Sequence, residues 1–312
     1  MTARTQRTRL LAAGAVVASV SLVLTGCSSS KSTSGSTAGA GVNASASIKA
    51  VAADPALAAQ VPADVKSAGK IVVASDASYA PNEYQDASGK IIGMDVDLAN
   101  AIGQKLGVPV EVQNSPFTAI IPGIQANKFQ LAMSSLTDNK EREATVDMVT
   151  YFIAGTSAAV KKGNPDKIDP NDLCGKKVAV QTGTTQADQI KDVINPACVK
   201  AGKPPVPNDG DKFDLQTDVT QAVVSGRDQV MLADSPVIDY AIKQTNGQLE
   251  QLGSVEGKAP YGIALAKGSA LAKPVQGAVQ SLMDDGTYKQ ILDKWGVQAG
   301  AITQSQINGA TS

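Results

Sequence analysis

The sequence predicts an α/β protein of two lobes, the second inserted in the first, and three observations carry that expectation. The chain of 312 residues is about twice the usual length of one domain, enough for two separate cores. From Lys70 onward, short apolar runs alternate with helical patterns in a βαβαβ rhythm that stops and then restarts. Two extended apolar stretches, Tyr151 to Val160 and Val255 to Ala266, flank the second pattern, as expected if the chain crosses out of one lobe once and back once.

Taken in order, Ile71 to Ala74 reads as a strand. Met94 to Leu106 carries apolar residues at 94, 98, 102 and 106 before Gly107, the pattern of a helix closed by a C′ glycine. Pro109 to Val112 is a second strand, Phe117 to Ala126 a helix and Phe129 to Met133 a third strand, which together imply a parallel sheet with helices on both faces. The second pattern consists of a strand at Lys177 to Gln181, helices at Thr184 to Ile194 and Gln216 to Ser225, a strand at Gln229 to Ala233 and a helix at Ser235 to Lys243. Helical segments at Ala270 to Leu282 and Tyr288 to Trp295 follow. Lobe 1 is thus expected at 65–156 plus 257–298, lobe 2 at 157–256, and a flexible tail at 299–312. In open α/β sheets ligands sit beyond the carboxyl ends of the strands, so two facing lobes would enclose a ligand between them.

Composition narrows the chemistry. Lys plus Arg is 28 against 29 Asp plus Glu, which gives no reason to expect a nucleic-acid partner. The histidine count is zero, so Ser-His-Asp, Cys-His and His-metal arrangements are all excluded. No cofactor or metal is called for, and a monomer is expected.

The N-terminus reads as an export address. Arg4, Arg7 and Arg9 precede an uncharged, largely apolar run from Leu10 to Leu24, too short to span a bilayer as a helix. It ends in Leu24-Thr25-Gly26-Cys27, which resembles the bacterial lipobox; the resemblance implies a signal peptide over 1–26 and lipidation of Cys27. Losing three arginines and no acid would take the formal charge from −1 to about −4. Residues 27–64 are expected to be a Ser/Gly/Ala tether, with the folded part beginning near Val61. The remaining cysteines, Cys174 and Cys198, form an even pair in an exported chain. A disulfide is favoured over two buried thiols or a metal site, and would contribute about 3 kcal/mol on the chain-entropy view.

The polar residues that follow the strands carry the chemistry. They are Ser75-Asp76-Ala77-Ser78-Tyr79-Ala80-Pro81-Asn82-Glu83-Tyr84 with Gly93-Met94-Asp95-Val96-Asp97, then Ser134-Ser135-Leu136-Thr137 with Lys140-Glu141-Arg142, then Thr182-Gly183-Thr184-Thr185-Gln186, and Asp234. In these motifs, and in their order over roughly 70–297, the chain resembles the polar amino-acid family of extracellular solute-binding proteins that feed ABC importers. The resemblance implies a two-lobed, type II periplasmic-binding-protein fold with a two-strand hinge. It also implies an ABC permease and ATPase as partners, and a lipid-anchored location on the outer face of the cell membrane.

A free amino acid is a zwitterion, and burying it is favourable only if both charges are paired. Arg142 can grip the carboxylate with two charge-assisted bonds, helped by backbone N–H groups of the turn at Thr182 to Thr185. Asp234 is the natural counter-ion of the ammonium, although it could instead cap the following helix. The resemblance places ligand contacts at Ser135, Thr137, Arg142, Thr185 and Asp234, with Leu136 in the same segment. It implies that Tyr79 and Phe117 pack on the ligand side chain, and that Asp76, with Gln181 nearby, receives a side-chain cation or amide. A carboxylate there favours arginine, lysine, ornithine or histidine, with glutamine next. Asn82 departs from the family pattern, which has an apolar residue between Pro and Glu. A dehydratase-like enzyme on the same fold and a ligand-sensing subunit are the alternatives; no catalytic residue is expected.

Overall fold

The computed structural model describes residues 42–44 and 46–310, so the expected signal peptide and Cys27 lie outside the described residues. The chain runs α1 (Pro55–Gln60), α2 (Ala63–Ala68), β1 (Ile71–Ser75), β2 (Ser78–Tyr79), β3 (Glu83–Gln85), β4 (Ile91–Ile92), α3 (Met94–Leu106), β5 (Val110–Asn114), α4 (Phe117–Gln125) and β6 (Leu131–Ala132). It continues through α5 (Lys140–Glu143), β7 (Val146–Lys161), β8 (Val178–Gln181), α6 (Thr185–Gln189), α7 (Asn195–Lys200), β9 (Asp211–Phe213) and α8 (Gln216–Ser225). The last elements are β10 (Val230–Asp234), α9 (Ser235–Gln244), β11 (Leu249–Ala266), α10 (Ala272–Asp284) and α11 (Thr287–Trp295). A wider, π-type turn at Ile190–Ile194 joins α6 to α7 in one continuous helical run.

One eight-stranded sheet, in the order β5-β1-β6-β11-β7-β10-β8-β9, runs through both lobes. In the first lobe β1 lies parallel between β5 and β6; in the second β8 lies parallel between β10 and β9. The long strands β7 and β11 run antiparallel down the middle, from Ala266↔Val146 to Leu249↔Lys161. The chain leaves the first lobe on β7 and returns on β11, which makes the second lobe an insertion with a two-strand hinge. Their register shifts between Leu252 and Glu256 and again between Glu256 and Ala259. Opposite this irregularity stands Gly155, where a Cβ would lie 2.4 Å from the Glu256 carbonyl, so the two backbones approach too closely for a side chain.

Each half-sheet is covered on both faces. In the first lobe one face buries Ile71, Val73, Leu98, Ile102, Val279 and Trp295, and the other Ala74, Ile120, Ile124, Phe129 and Met148. In the second lobe the layers centre on Val219, Val223, Met231 and Ile238, and on Val178, Val180, Ile190 and Val230. Cys174 and Cys198 form a disulfide that ties the loop before β8 to α7. Among the described residues no helix is long and apolar enough to cross a membrane.

Two expected boundaries need correction. The folded part begins before Val61: Ile48 and Val51 pack against the first core, and the Asp54 carboxylate accepts from Ala56 N at 2.9 Å to cap α1. These few apolar residues sit in a segment rich in alanine, which hid them. The segment expected as a flexible tail is also fixed as far as residue 310. Thr150 Oγ1 accepts from Gln306 N, Asn308 Nδ2 donates to Asp147, and Gly309 N and Ala310 N donate to Asp138 and Glu143. It docks largely through hydrogen bonds, with Ile307 packed against the core but no repeating apolar stripe, so hydrophobic periodicity gave no sign of it.

Candidate functional site

The carboxyl ends of the strands bring together Tyr79, Phe117, Ser134, Ser135, Thr137, Arg142, Gln181, Thr184, Thr185, Gln186 and Asp234 around one cavity. It lies between the lobes and measures about 240 Å³, including the part open to solvent. Eight of the ten residues expected at a ligand site are among those lining it.

Arg142 sits in the short helix α5, whose N-cap Asn139 accepts from the Arg142 N–H at 2.8 Å. Its Nη1 donates to the Thr137 carbonyl at 2.9 Å, and its Nη2 to the Gly183 carbonyl of the opposite lobe at 3.4 Å. The guanidinium carbon lies 5.7 Å from the centre of the Phe117 ring. Burial lowers its pKa and the charge of Asp234 opposes that shift, which leaves the group cationic in any ordinary buffer.

Asp234 ends β10 and immediately precedes α9, yet its side chain does not cap that helix. The carboxylate accepts from Tyr79 OH at 3.0 Å and from Gln186 Nε2 at 2.9 Å. Burial raises its pKa, against the hydrogen bonds it accepts and the nearby charge of Arg142. Tyr79 comes from the first lobe, so this pair spans the cleft.

The turn at Gly183 opens α6. Gly183 has φ +78°, and a Cβ there would lie 2.9 Å from Thr118 Cγ2, so the conformation and the close approach of α4 both call for glycine. Thr184 is the N-cap: its Oγ1 accepts from Ala187 N at 3.3 Å and donates to the Gln181 carbonyl at 2.8 Å. Thr185 and Gln186 occupy the first turn beyond it. Gln186 also reaches Thr156 Oγ1 at 3.1 Å, which ties the cavity wall to β7.

Two expected residues lie off the cavity wall. Leu136 packs with Ile120, Ile124 and Phe129, and its carbonyl accepts from Gly262 N at 2.8 Å, so it serves the core. Asp76 is buried one layer further back. Its Oδ1 accepts from Ser78 Oγ at 2.6 Å, and its Oδ2 from Phe117 N and from Gln181 Nε2, both at 3.0 Å. Burial raises its pKa. Gln181 therefore covers Asp76 from across the cleft. The divergent Asn82 is wholly buried and donates to Ser135 Oγ at 2.8 Å, a polar bond where the family pattern places apolar packing.

Ser134 and Gln186 also line the cavity, though neither side chain had an assigned role, and so does the side chain of Thr184, a residue of the turn expected to offer backbone N–H groups. Each stands beside a residue that did, and the periodicity of a short turn cannot tell which neighbour faces inward. A larger groove lies beside the disulfide in the second lobe, lined by Leu173, Cys174, Cys198, Leu232 and Leu252 among others, away from the arginine and the strand-end carboxylate. Among the described residues no group of acids and cysteines is placed to hold a metal.

A two-lobed sheet with a hinge and a cleft lined by an arginine and a buried carboxylate defines a solute-binding protein. Residues 71–298 match the family model of bacterial extracellular solute-binding proteins, family 3, and the chain belongs to that family. It is 30% identical over 255 residues to the arginine-binding protein ArgT of Corynebacterium glutamicum, covering 81% of this chain and 83% of that one. It is 28% identical over 234 residues to the L-cystine-binding protein TcyJ of Escherichia coli K12, covering 74% and 84%. Among solved structures it is similar to an ancestral arginine-binding protein bound to arginine, with 37% identity, a TM-score of 0.66, and 73% and 98% of the two chains covered. An ancestral amino acid-binding protein described as a precursor of cyclohexadienyl dehydratase has 34% identity and a TM-score of 0.66, covering 74% and 97%.

Proposed function

We propose that this chain is the substrate-binding lipoprotein of an amino-acid ABC importer, tethered outside the cell by lipid on Cys27. It would close as a monomer on a polar amino acid and present it to the permease without catalysing any reaction. The single observation that carries this reading is the meeting of Arg142 from one lobe and Asp234 from the other at the same cavity. Their opposite charges match the two ends of a zwitterion, and both are held by bonds that a closing ligand would complete. Under this reading Ser135, Thr137 and Thr185 supply further polar contacts, and Tyr79 and Phe117 flank the ligand side chain.

A basic amino acid is the favoured ligand and glutamine the next. Asp76 supports this choice as a buried acid at the side-chain end, reached once the Gln181 amide exchanges for a ligand cation or amide. Relatives named for arginine and glutamine binding point the same way. The test is calorimetry of ligand-stripped protein against the common amino acids and ornithine. Arginine, lysine, ornithine, histidine or glutamine should bind, and Arg142→Ala should abolish binding. Preferential uptake of glutamate would refute the role given to Asp76.

A further inference from the structure

Behind the Ser134–Ser135 segment the fold buries two carboxyl groups side by side. Glu83, on β3, is fully buried, and Asp95, in the first turn of α3, is 1% exposed. Neither joins any ion pair among the described residues. The other charged side chains of α3 are engaged elsewhere, Asp97 with Lys294 and Lys105 with Asp285. Two ionised carboxylates in contact without a cation cannot both remain charged in such a place.

The hydrogen bonds assign the proton. Asp95 Oδ2 accepts from Ser135 N at 2.9 Å and from Tyr151 OH at 2.7 Å. Asp95 Oδ1 is buried and accepts from no N–H or hydroxyl. Glu83 and Asp95 both accept from Ser135, through its hydroxyl and its N–H, so the two carboxyls converge on one residue and a protonated Glu83 is the donor that fits. Burial and the charge of Asp95 push Glu83 well above the ordinary glutamate value, while Asp95 is raised by burial to about 6. Asp76, Tyr79 and Tyr151 are the other titratable groups that face Glu83, and none brings a positive charge.

The same pair grips the cavity wall. Ser134 Oγ donates to Glu83 Oε1 and Ser135 Oγ to Oε2, each at 3.3 Å, while Asn82 donates to Ser135 Oγ. Ser134 Oγ also accepts from Asp76 N at 2.9 Å. Ser135 has φ +51°, a left-handed conformation that costs a serine energy unless its surroundings enforce it. Here Asp95 holds its N–H, and Glu83 and Asn82 hold its hydroxyl.

We propose that Glu83 and Asp95 form a one-proton carboxyl pair that positions Ser135, and with it the polar wall of the amino-acid site. The inference rests on the amino-acid-binding reading, and its test separates the two. L-arginine is titrated into wild type, Glu83→Gln, Glu83→Ala and Asp95→Asn, with infrared spectra of ligand-free wild type and Glu83→Gln at neutral pH. Glutamine keeps a donor for Asp95 and one acceptor oxygen for a serine hydroxyl, so Glu83→Gln should rescue the affinity to within about threefold. Glu83→Ala and Asp95→Asn should weaken it by about tenfold or more. The wild-type spectrum should contain a protonated carboxylic-acid band that Glu83→Gln removes, a readout that needs no ligand and no folded alanine variant. Wild type that binds arginine while Glu83→Gln binds as poorly as Glu83→Ala, or an infrared spectrum without that band, would overturn the inference. Wild type that takes up no arginine, with the band present, would instead count against the binding reading.

Discussion

Tyr79 and Asp234, 155 residues apart and on opposite lobes, exchange two hydrogen bonds: the phenol donates to Asp234 Oδ2 at 3.0 Å and accepts from Asp234 N at 3.1 Å. A first-lobe phenol therefore orients the very carboxylate proposed to receive the ligand ammonium. Tyr79→Phe keeps the ring and removes both bonds. The expected outcome is affinity for arginine weakened by about tenfold and a more open shape in X-ray scattering of the liganded protein. Unchanged affinity would mean that the phenol plays no part in closure.

Gly183 links conformation to cleft geometry. Its positive φ strains any residue but glycine, and a Cβ at this position would lie 2.9 Å from Thr118 Cγ2, which would have to shift. Gly183→Ala is expected to lower the stability of the ligand-free protein by about 1 kcal/mol and to weaken arginine binding by about tenfold, because the strained turn and the displaced Thr118 disturb the place where the lobes meet. Denaturant unfolding and calorimetry read the two effects separately.

The acids give stability a definite pH dependence. Burial pushes Asp95 and Asp228 up to about 6 and Asp138 up to about 7, and raises Glu83 well above its ordinary range. Such groups ionise more readily in the unfolded chain, so the stability they contribute is complete below the ordinary carboxyl value and is lost as pH rises through 6 to 7. Asp172, held low by Lys203, and Glu111, held low by Lys70, act oppositely and lose their contribution as pH falls through and below the ordinary value. The melting temperature of ligand-free protein is expected to be higher near about pH 5 than near about pH 8, and scanning calorimetry across that range checks it.

The disulfide should matter for stability and not for recognition. It joins Cys174 to Cys198 in the second lobe, and neither residue lines the candidate site. Replacing both with serine is expected to lower unfolding free energy by about 3 kcal/mol while leaving arginine affinity within about twofold. Recovery of both residues as free thiols from exported protein would contradict the bridge.

Much of this was legible in the chain because the relevant signals are local. The helix expected over Met94 to Leu106 has those same limits, because its apolar spacing and its closing glycine agree. Arg142, Asp234 and the Gly183 turn could be read because each stands at or beyond the carboxyl end of a strand, where an α/β fold exposes side chains. The three-stranded sheet of β2, β3 and β4 was not legible, since strands of two or three residues carry too little alternation to register. Nor could the sequence tell that Asp76 would sit behind Gln181, or that Glu83 and Asp95 would meet. Those facts depend on which side chains face each other across the sheet and across the cleft, and no spacing encodes that. Leu136 shows the converse: alternation within Ser-Ser-Leu-Thr turns it to the core while its polar neighbours line the cavity.

The most direct test is a diffraction structure of the protein soaked or co-purified with L-arginine. The ligand carboxylate should lie on the Arg142 guanidinium and its ammonium on Asp234, with Tyr79 and Phe117 on either side of the side chain. An arginine bound elsewhere, with Arg142 and Asp234 still bonded only to protein, would contradict the account at its centre.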